Sequence, residues 1–210
     1  FDIVTPDRRI TGPTPQSDGS YTRYRFDDNG FLPHRGRWHF SAYQWARHAI
    51  KLGLGPTATG NNQGTHALIT ADENRLLRAE ALLRTGDRAG AAALINVTRT
   101  RPQRIGGTVY EGLPPVTADG VPMVDGQCVP RTDSGACGDL LAALRYERMI
   151  ELAGIDLFRG YAESRGFGIL VDGALIHFPV PGNVLELYGL EEYSYGGIGG
   201  PGAAVYAPAT

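Results

Sequence analysis

The stretch Thr70-Ala71-Asp72-Glu73-Asn74-Arg75-Leu76-Leu77-Arg78-Ala79-Glu80-Ala81-Leu82-Leu83-Arg84-Thr85-Gly86-Asp87, continued through Leu94-Ile95-Asn96 to Pro102, decides the fold. Thr70 followed by Glu73 fits a capping box, in which the hydroxyl accepts from the Glu73 amide and the carboxylate reaches back to the amide of Thr70. A helix is predicted from Ala71, with Leu76, Ala79 and Leu83 on one stripe and Leu77 and Ala81 beside it, while Arg75, Arg78 and Arg84 lie elsewhere. Gly86 ends this helix. Asp87 can cap a second one, whose Ala91, Leu94, Ile95 and Thr98 again form a stripe, and Pro102 stops it because it cannot continue the hydrogen-bond ladder. The product is a helical hairpin. Small residues at Ala79 and Ala91 let its two helices approach closely, in the manner of a tetratricopeptide unit.

A chain of 210 residues can bury a core of its own. Gly (29) and Pro (14) make about a fifth of it, so many loops are expected outside the helices. The net charge of −2 and a pI near 6.2 offer no electrostatic footprint for nucleic acid and no polybasic membrane patch. No apolar run is long enough to span a bilayer. The chain begins at Phe1 rather than Met and shows no signal segment, which fits either a removed leader or a piece of a longer polypeptide.

Upstream of the hairpin, residues 1–64 read as short strands, turns and loops rich in aromatics. Tyr21 to Phe26 alternates as a strand, and Asp27-Asp28-Asn29-Gly30 is a turn cluster that lacks the ligand spacing of a helix-loop-helix calcium site. Arg37 to Trp45 concentrates Trp38, Phe40, Tyr43 and Trp45. Its periodicity fits a strand, or a helix capped by Ser41. These rings are either core, or a platform against the apolar faces of sugar rings; for the second role the candidates are Trp38 and Tyr43, with Tyr21 and Tyr24 behind them. His39 and His48 match no metal spacing, and no cofactor or metal site is expected. Gly53 to Gly64 is a loop.

Downstream, residues 103–138 show nothing periodic, which makes them an uncommonly long connection. The only two cysteines, Cys128 and Cys137, lie inside it, too far apart for a redox pair and too few for structural zinc, so a disulfide and an oxidising compartment are expected. Asp139 caps a third helix running to about Ala153, with Gly154 as its stop. Leu140, Leu144, Arg148 and Leu152 share a stripe, and Glu147 and Glu151 stand one turn apart, where like charges repel. Cations are needed nearby. Arg148, Arg159 and Arg165 are the candidates, giving a partly buried structural network of Glu147, Arg148, Glu151 and Arg159. A glycosidase reading would instead make Glu147 and Glu151 acid and base. An extended His177-Phe178-Pro179-Val180-Pro181-Gly182 leads to a helical run from Asn183 to Tyr188, and Gly196 to Thr210 has little to fold with.

Ala71-Asp72-Glu73-Asn74-Arg75-Leu76-Leu77-Arg78-Ala79-Glu80-Ala81, the Gly86-Asp87 turn, Leu94-Ile95-Asn96 with Arg99, Glu147-Arg148 with Glu151-Leu152, and His177-Phe178-Pro179-Val180-Pro181 together resemble the C-terminal part of the SusD/RagB family over about residues 65–196. Arg35-Gly36-Arg37-Trp38-His39-Phe40-Ser41 is the best stretch of a looser similarity upstream. The resemblance implies a mainly α fold, a tetratricopeptide-like hairpin scaffold with long irregular loops and a few short strands. It divides the chain into an aromatic segment (1–64), a helical region (65–196) with a disulfide-closed insertion (103–138), and a Gly/Ala/Pro-rich tail (197–210). It further implies a non-enzymatic protein at the outer-membrane surface, or secreted, that binds an oligosaccharide or other nutrient and caps a TonB-dependent transporter. Family members are usually more than twice as long and start with a lipid-modified Cys. A single hairpin cannot bury both faces, so further helical units or another chain are expected to complete it. The alternative is a secreted structural subunit that self-assembles with copies of itself through this incomplete array.

Overall fold

A computed structural model describes residues 3–24, 43–47, 67–155, 159–170 and 180–190. Five helices and two small antiparallel strand pairs occur among them, so the fold is helix-dominated. The chain divides into two compact units, 1–156 and 157–210. Sequence expectations for Asp27–Gly30, Trp38, His39, Phe40, His48, residues 53–64, His177–Pro179 and 196–210 lie outside the described residues.

In the first unit, α1 (Ala71–Arg84) starts where Thr70 Oγ1 accepts from the Glu73 amide at 3.1 Å. This is one half of the capping box, and Glu73 itself is buried. Helix α1 ends in a Schellman motif. The Asp87 amide donates to Leu82 O (2.9 Å), the Gly86 amide to Leu83 O (3.2 Å), and Gly86 takes φ 93°. Asp87 then caps α2 (Arg88–Arg99), its carboxylate accepting from the Gly90 amide at 2.8 Å. The third helix, α3 (Leu140–Leu152), is capped as the sequence predicts, with Ala142 N donating to Asp139 Oδ1 at 2.7 Å.

These three helices pack pairwise on one another. Leu76 and Ala79 of α1, Ala91 and Ile95 of α2, and Leu140, Ala143 and Leu144 of α3 are fully buried in one cluster, which Val116, Val121 and Cys128 complete from the connecting segment. Each fully buried Leu or Ile stabilises by about 1.5–3 kcal/mol relative to exposure. Ion pairs brace the trio at its edges: Arg101 clamps Asp72 through two bonds of 2.9 Å, and Arg148 of α3 bonds Glu80 of α1.

The connection 103–138 is more ordered than its lack of period suggests. It opens with a hairpin of β3 (Gln103–Ile105) and β4 (Thr108–Tyr110), with Ile105 opposite Thr108. Gly106 and Gly107, both at positive φ, form the two-residue turn that such hairpins favour. Asn96 fixes the following loop by exchanging two hydrogen bonds with the Val116 backbone (2.9 and 2.8 Å). Cys128 and Cys137 form the expected disulfide, and closing so short a loop stabilises by about 2–3 kcal/mol on the chain-entropy account.

The N-terminal segment winds through turns into β1 (Thr22–Tyr24), which pairs antiparallel with β2 (Tyr43–Trp45), Tyr24 facing Tyr43. The strand alternative therefore holds for the described end of the aromatic stretch. In the second unit lie α4 (Arg159–Gly166), which the sequence reading does not anticipate, and α5 (Gly182–Leu187), within a residue of the expected run. Gly160 and Gly166 make α4 a poor helix former on propensity, which hides it from pattern reading.

Gly86→Ala is expected to destabilise the first unit by about 1–2 kcal/mol, because a side chain at this φ meets its own backbone. Urea unfolding of the variant measures this, and Gly86→Asn should lose less.

Candidate functional site

The most unusual chemistry in the described residues is a charge cluster in the interior. Glu147 and Glu151 sit one turn apart on α3 and are 0 % and 1 % exposed. Their cations come from far away in sequence. Arg9 grips Glu147 as a fork, Nη1 to Oε2 at 2.7 Å and Nη2 to Oε1 at 2.8 Å, and its Nη1 also reaches Glu151 Oε1 at 3.3 Å. The same guanidinium donates to Asp7, from Nε at 3.0 Å and from Nη2 at 2.9 Å. Arg47 donates to Glu151 Oε2 (2.6 Å) and to the Glu151 carbonyl (2.5 Å), so it also caps the C-terminal end of α3.

Neutral groups occupy the remaining positions. The Tyr21 hydroxyl donates to Glu151 Oε1 (2.9 Å), Tyr146 to Asp7 Oδ2 (2.8 Å) and Thr98 to Glu147 Oε2 (3.0 Å). Arg99 approaches Glu147 Oε1 at 3.6 Å. Three carboxylates, Asp7, Glu147 and Glu151, thus face three guanidiniums, Arg9, Arg47 and Arg99, and the buried charge balances. Such balance is required, since an ion stripped of water costs several kcal/mol unless paired and hydrogen-bonded.

Ionisation follows from this packing. Burial opposes charge on Asp7, but the Arg9 charge and hydrogen bonds outweigh it and hold the carboxyl below its ordinary value. Burial likewise opposes charge on Arg9, yet Glu147 and Asp7 raise it well above the usual guanidinium range. Burial pushes Arg99 down. Tyr21 is driven up by burial and then by Glu151, and Tyr146 by burial and then by Asp7.

The sequence reading places the carboxylates correctly on α3 but assigns them different partners. Arg148 bonds Glu80, and Arg9, Arg47 and Arg99 are the cations seen beside Glu147 and Glu151 among the described residues; the Arg159 side chain lies outside them. Asp7 and Arg9 carry no local signal, because the pairs span 138 and 142 positions. The one available clue is that two acids on a buried stripe need cations from some other element.

Of the four proposed stacking rings, Trp38 is outside the described residues. Tyr21 is only 2 % exposed, with Arg47 stacked 4.3 Å over its ring and Trp45 against its edge, so its face is closed to a sugar. Tyr24 and Tyr43 are half-buried and stand edge to face at 5.3 Å. Tyr43 is fixed by its hydroxyl, which accepts from the Ile3 amide (2.9 Å) and donates to Pro15 O (2.6 Å). Among the described residues no group of three His, Cys, Asp or Glu side chains is arranged to hold a metal ion.

Arg9→Met leaves Asp7, Glu147 and Glu151 short of a cation, and a loss of about 3–5 kcal/mol is expected in denaturant unfolding. The pH profile of stability should be a plateau with two edges. The Asp7 contribution is present above its unfolded value and is lost as pH falls below about 4, because its folded pKa is depressed. The Tyr21 and Tyr146 contributions are present below about pH 10 and are lost as pH rises beyond it, because theirs are raised. Melting temperatures across the pH range check both edges, and Tyr146→Phe should soften the alkaline one.

No family model, no curated protein and no solved structure matches this chain.

Proposed function

We propose that the chain is a non-enzymatic binding component of an outer-membrane nutrient-uptake system, holding an oligosaccharide or other nutrient for a TonB-dependent transporter at the cell surface. The observation that carries this reading is the Tyr24–Tyr43 pair. Two half-buried rings are held at a fixed angle on a short strand ladder, and Tyr43 is pinned at its hydroxyl, so little conformational freedom is lost when a sugar ring packs against them. The charge cluster supports binding over hydrolysis. Every carboxylate oxygen of Glu147 and Glu151 is already engaged, which leaves neither acid free to serve as a glycosidase catalyst. In this reading α1 and α2 are one tetratricopeptide-like unit, and α3 covers one of its faces.

A second reading, self-assembly with copies of the chain, is favoured by Leu68 and Ile69, which are 76 % and 75 % exposed just before α1, with Leu77 exposed on the helix that follows. Light scattering separates the two, since assembly gives a mass that grows with concentration and shrinks in a Leu68→Ser, Ile69→Ser variant.

Calorimetric titration with a panel of oligosaccharides should give binding that falls about tenfold or more in Tyr24→Ala and Tyr43→Ala and in Trp38→Ala. Titration heats indistinguishable from dilution for the whole panel would remove the glycan reading.

A further inference from the structure

A cavity of about 320 Å³ opens in the first unit between the N-terminal segment, the C-terminal end of α2 and the disulfide-closed connection. It lies apart from the Tyr24–Tyr43 pair, and its walls are irregular backbone, yet each wall is pinned. One buried guanidinium fixes two of them: Arg99 Nε donates to Pro114 O (2.7 Å) and Nη2 to Val129 O (2.6 Å), while the Leu113 amide donates to Arg99 O (2.8 Å). The Cys128–Cys137 bond holds the second wall again. The third wall is the N-terminal segment, anchored by Asp7 and Arg9 in the charge cluster. Arg8, between them, lines the cavity instead.

What these walls present is charge of both signs. Arg8 lines the cavity with one guanidinium nitrogen bonded to Gly12 O, and Glu111 and Asp125 line it with Gln127. Asp125 sits in a two-residue turn, with φ 50°, between the mutually bonded Val124 and Gln127. Among the described residues, Arg8 forms no ion pair with Glu111 or Asp125, although all three line one small space. Leu113, Pro114 and Val129 supply apolar surface between them. The volume is at the small end for ligand pockets.

We propose that this cavity binds a small dipolar ligand of the amino acid or dipeptide class, its carboxylate on Arg8 and its ammonium on Glu111 and Asp125. A zwitterion bridges opposite charges that the protein holds apart, while a neutral molecule leaves them unpaired, and a simple anion or cation meets one favourable and one unfavourable group. The preformed walls lower the ordering cost of capture. This site stands independently of glycan binding by the tyrosine pair.

The test is a thermal-shift screen of the full chain against the free amino acids and a series of glycyl dipeptides at millimolar concentration, followed by calorimetry on the best of them. Binding is expected to drop about tenfold or more when the ligand is N-acetylated or converted to its C-terminal amide. The same drop is expected in Arg8→Gln and in Asp125→Asn, the latter chosen because Asn also tolerates positive φ. Unchanged melting temperatures of the unliganded variants show that their folds are kept. If a variant is destabilised, the blocked ligands decide on the wild-type chain. No shift with any member, equal affinity for blocked and unblocked ligands, or displacement of the dipeptide by a neutral oligosaccharide would each overturn the assignment. Failure of the oligosaccharide titration alone would leave it standing.

Discussion

Arg9 places one cation against Asp7, Glu147 and Glu151, and the described part of the first unit depends on that contact. The apolar cluster is drawn from α1, α2, α3 and the connection between them, and among the described residues none before Leu76 belongs to it. The N-terminal segment is joined to this core chiefly through charge: Arg9 to α3, Asp7 to Tyr146, and Tyr21 to Glu151. Arg47, beside the strand that pairs with β1, reaches the same carboxylate. The two attachments differ in kind. Apolar packing tolerates swaps that conserve volume, whereas a buried ion pair cannot lose one partner without stranding the other.

Helices α1, α2 and α3 were legible because their signals are local. Thr70, Gly86, Asp87 and Asp139 each act on backbone groups within a few residues, and the stripes of Leu76, Ala79, Ile95 and Leu144 repeat within one helix. The disulfide was legible because only two cysteines exist. The β3–β4 hairpin was readable in principle from Gly106-Gly107, but three-residue strands are too short to show alternation. The presence of Glu147 and Glu151 on an apolar face showed that cations had to arrive. Which cations arrived is a long-range fact, settled by how the N-terminal segment returns to α3, and no spacing rule encodes it.

Tyr21 shows why a ring's role cannot be read from its type. In sequence it resembles Tyr24, three residues on, and both stand in an alternating stretch. Register decides between them. Tyr21 precedes the ladder and turns to Glu151 beneath Arg47, whereas Tyr24 lies opposite Tyr43 at the ladder's other end. The candidate surface therefore shrinks to the rings that the charge cluster does not consume.

The cluster's reach along the chain also bears on how the protein is made. Asp7 and Arg9 emerge from synthesis more than a hundred residues before Glu147, and the contacts that bury them close a very long loop. Until α3 exists, the charges of Asp7 and Arg9 are solvated by water rather than paired across the chain, so this pairing is a late event in synthesis. A polar attachment of this kind thus lets an earlier-made segment stay hydrated until its helical partner is ready.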